Sequence, residues 1–519
     1  MRLRRAAAGA AILLSALCHS ASAQDVTLTS RDGTIELTGT LLGFDGEFYR
    51  VDTIYGELTV DGSGVLCDGP GCPNLQDFVA ELSISGSATM GAVLMPALIE
   101  GFALRNGYTA ERSVEDKTHF SYRLTNEQTG KLAAVFAFRV TNTDEGFADL
   151  LANEADIVMA LREIRADEHM RAEEAGMGDM TEDNRSRVVA LDGIVPIVAP
   201  NNPVRRISPL DLARAYAGQI TNWSDLGGPD APISLHAPAQ RTGLGQAIED
   251  KIIITAGLQM SPNVVRHARG IELSTKVASD AFALGLVSFA EVGNAQALTL
   301  AGRCGRALRA TRRTIKTEDY PLTAPMFLYR PARRLPKIAR EFLAYAGGPS
   351  AQIVTRRAGF VDQAPEEVPL DDQGNRLANA IAAAGDEIAL TELQRMVSLL
   401  SPMKRLTTSF RFEAGSVRLD AQSRSNVQQL ARALEQGRYD ARKLVFVGFS
   451  DGEGPAIANQ SIALQRAEAV RRAVIAAAET ADVDQVTLEI DAFGEAMPMA
   501  CDGSAWGRLT NRRVEVWVR

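Results

Sequence analysis

Apolar and polar positions alternate with a period of two over Val26-Thr27-Leu28-Thr29, Ile35-Glu36-Leu37-Thr38, Tyr49-Arg50-Val51 and Leu58-Thr59-Val60, with Gly and Asp between the runs. Short alternating runs at this spacing predict a small antiparallel β module over residues 24–76. Asp45-Gly46 and Asp61-Gly62 read as its hairpin turns, because the carboxylate spacing of a calcium loop is missing. From about residue 77 the pattern becomes one of strand-like runs, such as Asn153-Glu154-Ala155-Asp156-Ile157-Val158, alternating with helical spacing, as from Met90 to about Asn106. This predicts an open α/β arrangement with any ligand at the strand ends. An acidic, Pro-broken stretch, Pro365-Glu366-Glu367-Val368-Pro369-Leu370-Asp371-Asp372, reads as a linker, and helical spacing follows from Asn375 to Leu400. Further on, a strand-like run from Lys443 to Phe449 leads into Asp451, and an Ala-rich helical run carries Arg466.

The first 23 residues break this pattern. Arg2, Arg4 and Arg5 precede an apolar stretch from Ala6 to Leu17, and Ala21-Ser22-Ala23 supplies small residues before Gln24. That is the layout of a secretory signal peptide cleaved after Ala23, so export is expected. Leu17 stands where a lipobox at Cys18 needs a small residue, which argues against acyl anchoring. No later stretch approaches the roughly twenty uninterrupted apolar residues of a membrane helix. Four of the five cysteines survive cleavage. Cys67 and Cys72 enclose the turn-rich Asp68-Gly69-Pro70-Gly71 and are expected to form a local disulfide in an oxidising compartment. A metal site there would need two further ligands that the nearby sequence does not hold. Cys304 and Cys501 fall in different predicted domains, and the sequence leaves their pairing open.

Over 519 residues, 46% apolar against 23% charged describes a globular chain of about three domains. The net charge of -9 argues against nucleic acid as a partner. It does not exclude a small anion, since a cleft can be locally positive within an acidic protein.

Ser450-Asp451, Asn459, Arg466 within Leu464-Gln465-Arg466-Ala467, and Asn511-Arg512-Arg513-Val514-Glu515 form a spaced polar set. A carboxylate in a loop facing a guanidinium on the next helix makes a clamp for a ligand with both an amine and a carboxylate. Together with Phe410-x-Phe412-x-x-Gly415-Ser416 and Gly494-Glu495 near Pro498, this stretch resembles the OmpA-like peptidoglycan-binding domain from about Leu406 to Arg519. The resemblance implies that Asp451 and Arg466 grip the amine and carboxylate of diaminopimelate in the peptide stem, with Asn459 and Arg512 as second contacts. Taken singly, Asp451 also reads as a helix cap and Arg466 as a solvated charge. Gly448-Phe449-Ser450-Asp451-Gly452 spells the nucleophile elbow of a hydrolase as well, but that fold needs a His after the Ser. His19, His119, His169, His236 and His267 all precede it. No enzyme, metal or cofactor is expected.

Asp192-Gly193-Ile194-Val195-Pro196-Ile197, Ser208-Pro209-Leu210 and Gly218-Gln219-Ile220-Thr221-Asn222-Trp223-Ser224-Asp225-Leu226 lie in a central region, 77–363, that resembles the phosphate-type (PstS-like) periplasmic solute-binding proteins of ABC transporters. The resemblance implies two lobes closing on a solute, a crossing back between them near Ala283-Leu284-Gly285-Leu286-Val287-Ser288-Phe289, and an ABC permease as partner. Gly86-Ser87-Ala88-Thr89 opens a helix where backbone N–H groups and hydroxyls can hold an anion. In the family this loop contacts phosphate, which makes Ser87 and Thr89 candidates; an ordinary helix cap is the alternative. The family's Arg and Ser-Gly-Thr fall on Pro238-Ala239-Gln240-Arg241-Thr242-Gly243-Leu244, so Pro238 replaces the Arg and Leu244 the last Thr. Arg241, Thr242 and Gly243 remain as candidates, and Arg162 of Leu161-Arg162 keeps a cation where a hydroxyl is lost.

The expected fold class is therefore multidomain α/β: a signal peptide (1–23), a small N-terminal β module (24–76), a two-lobed periplasmic-binding-protein-like α/β domain (77–363), a linker and helix (364–405) and a C-terminal OmpA-like α+β domain (406–519). The expected function is periplasmic binding of phosphate or another oxyanion, with tethering to peptidoglycan at the cell wall or outer membrane. The alternative is an envelope scaffold or sensor, with an envelope protein as partner, whose solute-binding fold has lost phosphate specificity.

Overall fold

The computed structural model describes residues 25–75, 78–182, 184–302, 304–382, 387–413 and 415–519. The expected signal peptide lies outside the described residues. Two compact units divide the chain, one ending at Phe78 and one running from Val79 to Arg519. In the first, five antiparallel strands pair in the order Gly56–Asp61, Phe48–Thr53, Glu36–Phe44, Asp25–Ser30, Val65–Asp68. The period-two pattern puts Val26, Leu28, Tyr49 and Val51 together in its core. A disulfide joins Cys67, on the strand Val65–Asp68, to Cys72, with their Cα atoms 5.8 Å apart. That last strand is too short for its alternation to stand out in the sequence.

The second unit is organised around one long strand, Ser186–Val198. Ser186 to Gly193 pair with Thr323–Tyr329, and Ile194 to Val198 pair with Ala283–Ser288. The strand thus runs from one lobe into the other. The first lobe adds Ile157–Ala160, Ala80–Ser87, Leu132–Thr141, His119–Asn126 and Tyr108–Val114 beyond Thr323–Tyr329; the second adds Ser234–Pro238 and Val265–His267 beyond Ala283–Ser288. This corrects the expected crossing at Ala283–Phe289. That run is an inner strand of the second lobe, pairing parallel with Ser234–Pro238, and its apolar character reflects burial on both faces.

In the C-terminal part the strands run Glu367–Val368, Lys404–Phe410, Arg513–Val518, Lys443–Phe449, Thr487–Ala492. Helices Ala421–Glu435 and Ala456–Ala477 cover one face through Leu430, Val470 and Val474. Helix Leu390–Leu400 covers the other, placing Met396 and Leu400 against Val447 and Trp517. Two readings change here. The acidic stretch expected as a linker contributes the edge strand Glu367–Val368, because Glu367 finds Lys404 at 2.9 Å and Arg442 at 2.5 Å. The helical spacing from Asn375 to Leu400 resolves into two helices, Gly374–Ala382 and Leu390–Leu400.

The C-terminal domain touches both lobes. Arg432 Nη1 donates to the Gly347 carbonyl of the first lobe at 2.7 Å, and Trp506 Nε1 donates to the Lys251 carbonyl of the second at 2.7 Å. A disulfide joins Cys304 of the second lobe to Cys501, with Cα atoms 5.7 Å apart. Where the chain returns between lobes, Arg405 donates to Asp319 through both Nη atoms, at 2.6 and 3.0 Å. Arg405 and Arg513 also flank the buried Glu515, at 3.4 and 2.7 Å. Burial opposes the charge on Glu515, yet Arg376, Arg405 and Arg513 hold its carboxyl well below the usual range.

Candidate functional site

Sheet register builds the C-terminal clamp. Phe449 pairs with Arg513 on the neighbouring strand, so the residues one step beyond each end, Ser450-Asp451 and Arg512, come together. Arg512 Nε donates to Asp451 Oδ2 at 2.5 Å. Helix Ala456–Ala477 presents Arg466 from below; its side chain lies over the Phe412 ring, 5.1 Å from the centroid, and Nη2 donates to the Ser416 carbonyl at 3.4 Å. Arg466 is only 5% exposed, its Nε has no hydrogen-bond partner, and it forms no ion pair among the described residues. Burial, then the charge of Arg512, depresses the Arg466 guanidinium, and Asp451 works the other way. Asn459 Nδ2 donates to Glu495 Oε2 at 2.6 Å and so flanks the clamp. Asp502, beside the interdomain disulfide, accepts from the Gly452 N–H at 3.1 Å and from Asn511 Nδ2 at 2.7 Å. The arrangement holds a carboxylate and an uncompensated cation near each other, which suits a ligand carrying both charges.

The residues named for the interlobe cleft are brought together less evenly. Ser87, at the end of Ala80–Ser87, is fully buried and its Oγ has no hydrogen-bond partner. It meets Gly243 of the second lobe so closely that a Cβ on Gly243 would lie 2.7 Å from Ser87 Oγ and 3.1 Å from Leu161 Cδ1. Thr242 caps the short helix Gly243–Ile248, its Oγ1 accepting from Gly245 N at 3.1 Å and donating to the Ala239 carbonyl at 2.7 Å. Thr89 lines a neighbouring cavity, and Arg241 is exposed, with no ion pair among the described residues. Arg162 is committed elsewhere. Its Nη atoms donate to Glu168 at 2.7 and 2.8 Å and to Asp144 at 2.5 Å. Burial opposes its charge, and these two carboxylates outweigh that and keep it protonated. Across the lobes, Arg165 Nη2 bridges to both oxygens of Asp250 at 3.1 Å.

Asp144, Glu168 and Asp250 escape a reading by sequence because no fixed spacing links them to Arg162. Asp502 and Glu495 are similarly silent. Among the described residues one His-carboxylate group could hold a metal: His169, Glu173 and Asp179 place ligand atoms within 4.8 Å of one another. Among the described residues no helix is long and apolar enough to cross a membrane.

The sequence profile of the PBP superfamily domain matches residues 77–348, more than half of the chain. The chain belongs to the PBP superfamily. Behind this PBP domain, the OmpA family profile matches residues 411–512, the segment that holds the clamp. The PBP domain is similar to the phosphate-binding protein PstS of Staphylococcus haemolyticus, 24% identical over 240 residues, 44% of this chain and 72% of that one. It is also similar to PstS of Staphylococcus epidermidis, 22% identical over 228 residues, 42% of this chain and 67% of that one. Among solved structures, an ABC-type phosphate transport receptor from Vibrio cholerae aligns with 54% of this chain and 99% of its own length, at 20% identity and a TM-score of 0.41. The peptidoglycan-associated lipoprotein from Burkholderia pseudomallei aligns with 22% of this chain and 90% of its own, at 27% identity and a TM-score of 0.19.

Proposed function

We propose that this is a periplasmic solute-binding protein tethered to peptidoglycan. Asp451 and Arg466 hold the amine and carboxylate of diaminopimelate in the stem peptide, with Arg512 and Asn459 beside them. The two-lobed domain takes a small solute between the helix starts at Ser87-Thr89 and Thr242-Gly243. The observation that carries the tether is Arg466: a guanidinium 5% exposed, with no carboxylate partner among the described residues, beside the Asp451–Arg512 pair. A buried charge without a partner is costly, and a bound carboxylate relieves that cost. Tethering raises the local concentration of the cleft at the wall without changing its contacts.

The test is co-sedimentation of the exported protein with purified sacculi. Asp451→Ala and Arg466→Ala are each expected to lower the bound fraction at least about tenfold, because either leaves one ligand charge unmatched. Unchanged retention in both variants, with folding verified by circular dichroism, would sink the clamp. The second reading, an envelope scaffold or sensor, is favoured by one observation: Arg162, the candidate cation of the first lobe, is engaged by Asp144 and Glu168. The first reading requires an ABC permease as partner, and the second an envelope protein.

A further inference from the structure

Beside the Ser87–Gly243 contact lies an interlobe cavity of about 400 Å³, within the size range of small-molecule sites. Its walls are mostly carbon. Ala88 and Val93 come from the first lobe, Pro238, Leu244 and Ile271 from the second, and Phe360 from the returning chain. Pro238 and Leu244 occupy the two positions at which an Arg and a Thr would be expected to serve an anion.

The polar groups on the lining are largely spent within the chain. Thr242 Oγ1 is occupied by Ala239 and Gly245. Ser288 Oγ donates to Asp192 Oδ2 at 2.5 Å and accepts from Ala290 N at 3.1 Å. Arg269, the one cation on the lining among the described residues, has a side chain 71% exposed and pairs with Glu272 at 3.3 Å. Glu291 puts a carboxylate against the first residue of helix Gly270–Ser279, where a Cβ on Gly270 would lie 2.0 Å from Glu291 Oε2. The chain's own carboxylate thus stands where an anion would approach that helix. Burial, followed by the charge of Asp192, pushes the Glu291 carboxyl upward. An oxyanion entering here would lose its hydration and meet apolar walls and a carboxylate.

We infer that the interlobe cavity takes a small, uncharged and largely apolar solute, and not phosphate or another oxyanion. Thr89, whose side chain makes no capping hydrogen bond at its helix start, supplies the directional contact to a hydroxyl or carbonyl of that solute. This rests on the reading of the cleft as a solute site.

The test titrates the full-length exported protein with the neutral fluorescent probe N-phenyl-1-naphthylamine, and separately with inorganic phosphate by calorimetry. Saturable one-to-one probe binding and no phosphate heat are expected. Val93 is 49% exposed, so a charge there is expected to leave the fold intact, and Val93→Asp is expected to weaken the probe at least about tenfold. Ala92→Trp, which fills the cavity from another exposed position, should do the same. Circular dichroism checks both folds. Saturable phosphate binding, with or without the probe, overturns the ligand class and leaves the solute-site reading standing. No response to either ligand overturns both. Probe binding indifferent to both substitutions puts the probe elsewhere and overturns the assignment.

Discussion

Two guanidinium groups, nearly equally buried, have opposite surroundings. Arg162, 8% exposed, is enclosed by Asp144 and Glu168, with Asp250 at 3.9 Å. Arg466 has an aromatic face and one carbonyl. The first is a structural ion cluster, whereas the second has no carboxylate partner among the described residues, although both are single Arg residues in the sequence. A third charged residue, Glu318, lies where the C-terminal domain meets the lobes: Asn426 Nδ2 donates to its Oε1 at 3.3 Å and Arg411 Nη2 to its carbonyl at 2.9 Å. Burial, then the charge of Asp420, pushes its carboxyl up to about 8 from the ordinary 4.5. A folded pKa above the unfolded one means that the folded protein binds the extra proton between those two values. The resulting stability is complete below pH 4.5 and is lost as pH rises through about 8. The melting temperature should therefore fall more steeply between pH 6 and 8 in the native chain than in Glu318→Gln. Equal slopes in thermal melts would mean that Glu318 ionises normally.

At the scale of elements, the clamp depends on how strand Lys443–Phe449 seats helix Ala456–Ala477. Gly448 lets them approach: a Cβ there would lie 2.0 Å from the Ala463 carbonyl oxygen. Gly448→Ala should push the helix, and Arg466 with it, away from Asp451. We expect a loss of about 1–3 kcal/mol in urea unfolding, together with weakened sacculus retention; native stability in this variant would contradict the close packing. Elements with strong periodicity were legible from the sequence. The strands of the N-terminal module and the strand before Asp451 appear where alternation or a continuous apolar run places them. Glu367–Val368 was not legible, because two residues carry no period and the pairing with Arg405 and Leu406 supplies the strand. The double role of Ser186–Val198 was hidden for a related reason: a continuous apolar run predicts burial but not which sheet each half joins.

Over the whole second unit, the C-terminal domain bonds to both lobes, so the segment matching the OmpA profile and the PBP domain are joined by more than a linker. The Cys304–Cys501 disulfide closes a span of 197 positions, and such a cross-link stabilises mainly by restricting the unfolded chain, typically by about 2–4 kcal/mol. Cys304→Ser with Cys501→Ser should lower the calorimetric melting of this unit; an unchanged transition would show that the noncovalent contacts suffice. The sequence by itself determined the domain families, the α/β class and the spacing of Asp451, Asn459, Arg466 and Arg512, because periodicity and motif spacing are local properties of the chain. Tertiary structure alone decided that Cys304 meets Cys501, that Arg162 is neutralised by Asp144 and Glu168, that Arg466 is not, and that Pro238, Leu244 and Val93 face one cavity. Each of these joins residues with no fixed separation along the chain, and ion pairing, burial and cavity shape exist only once folding has brought them together.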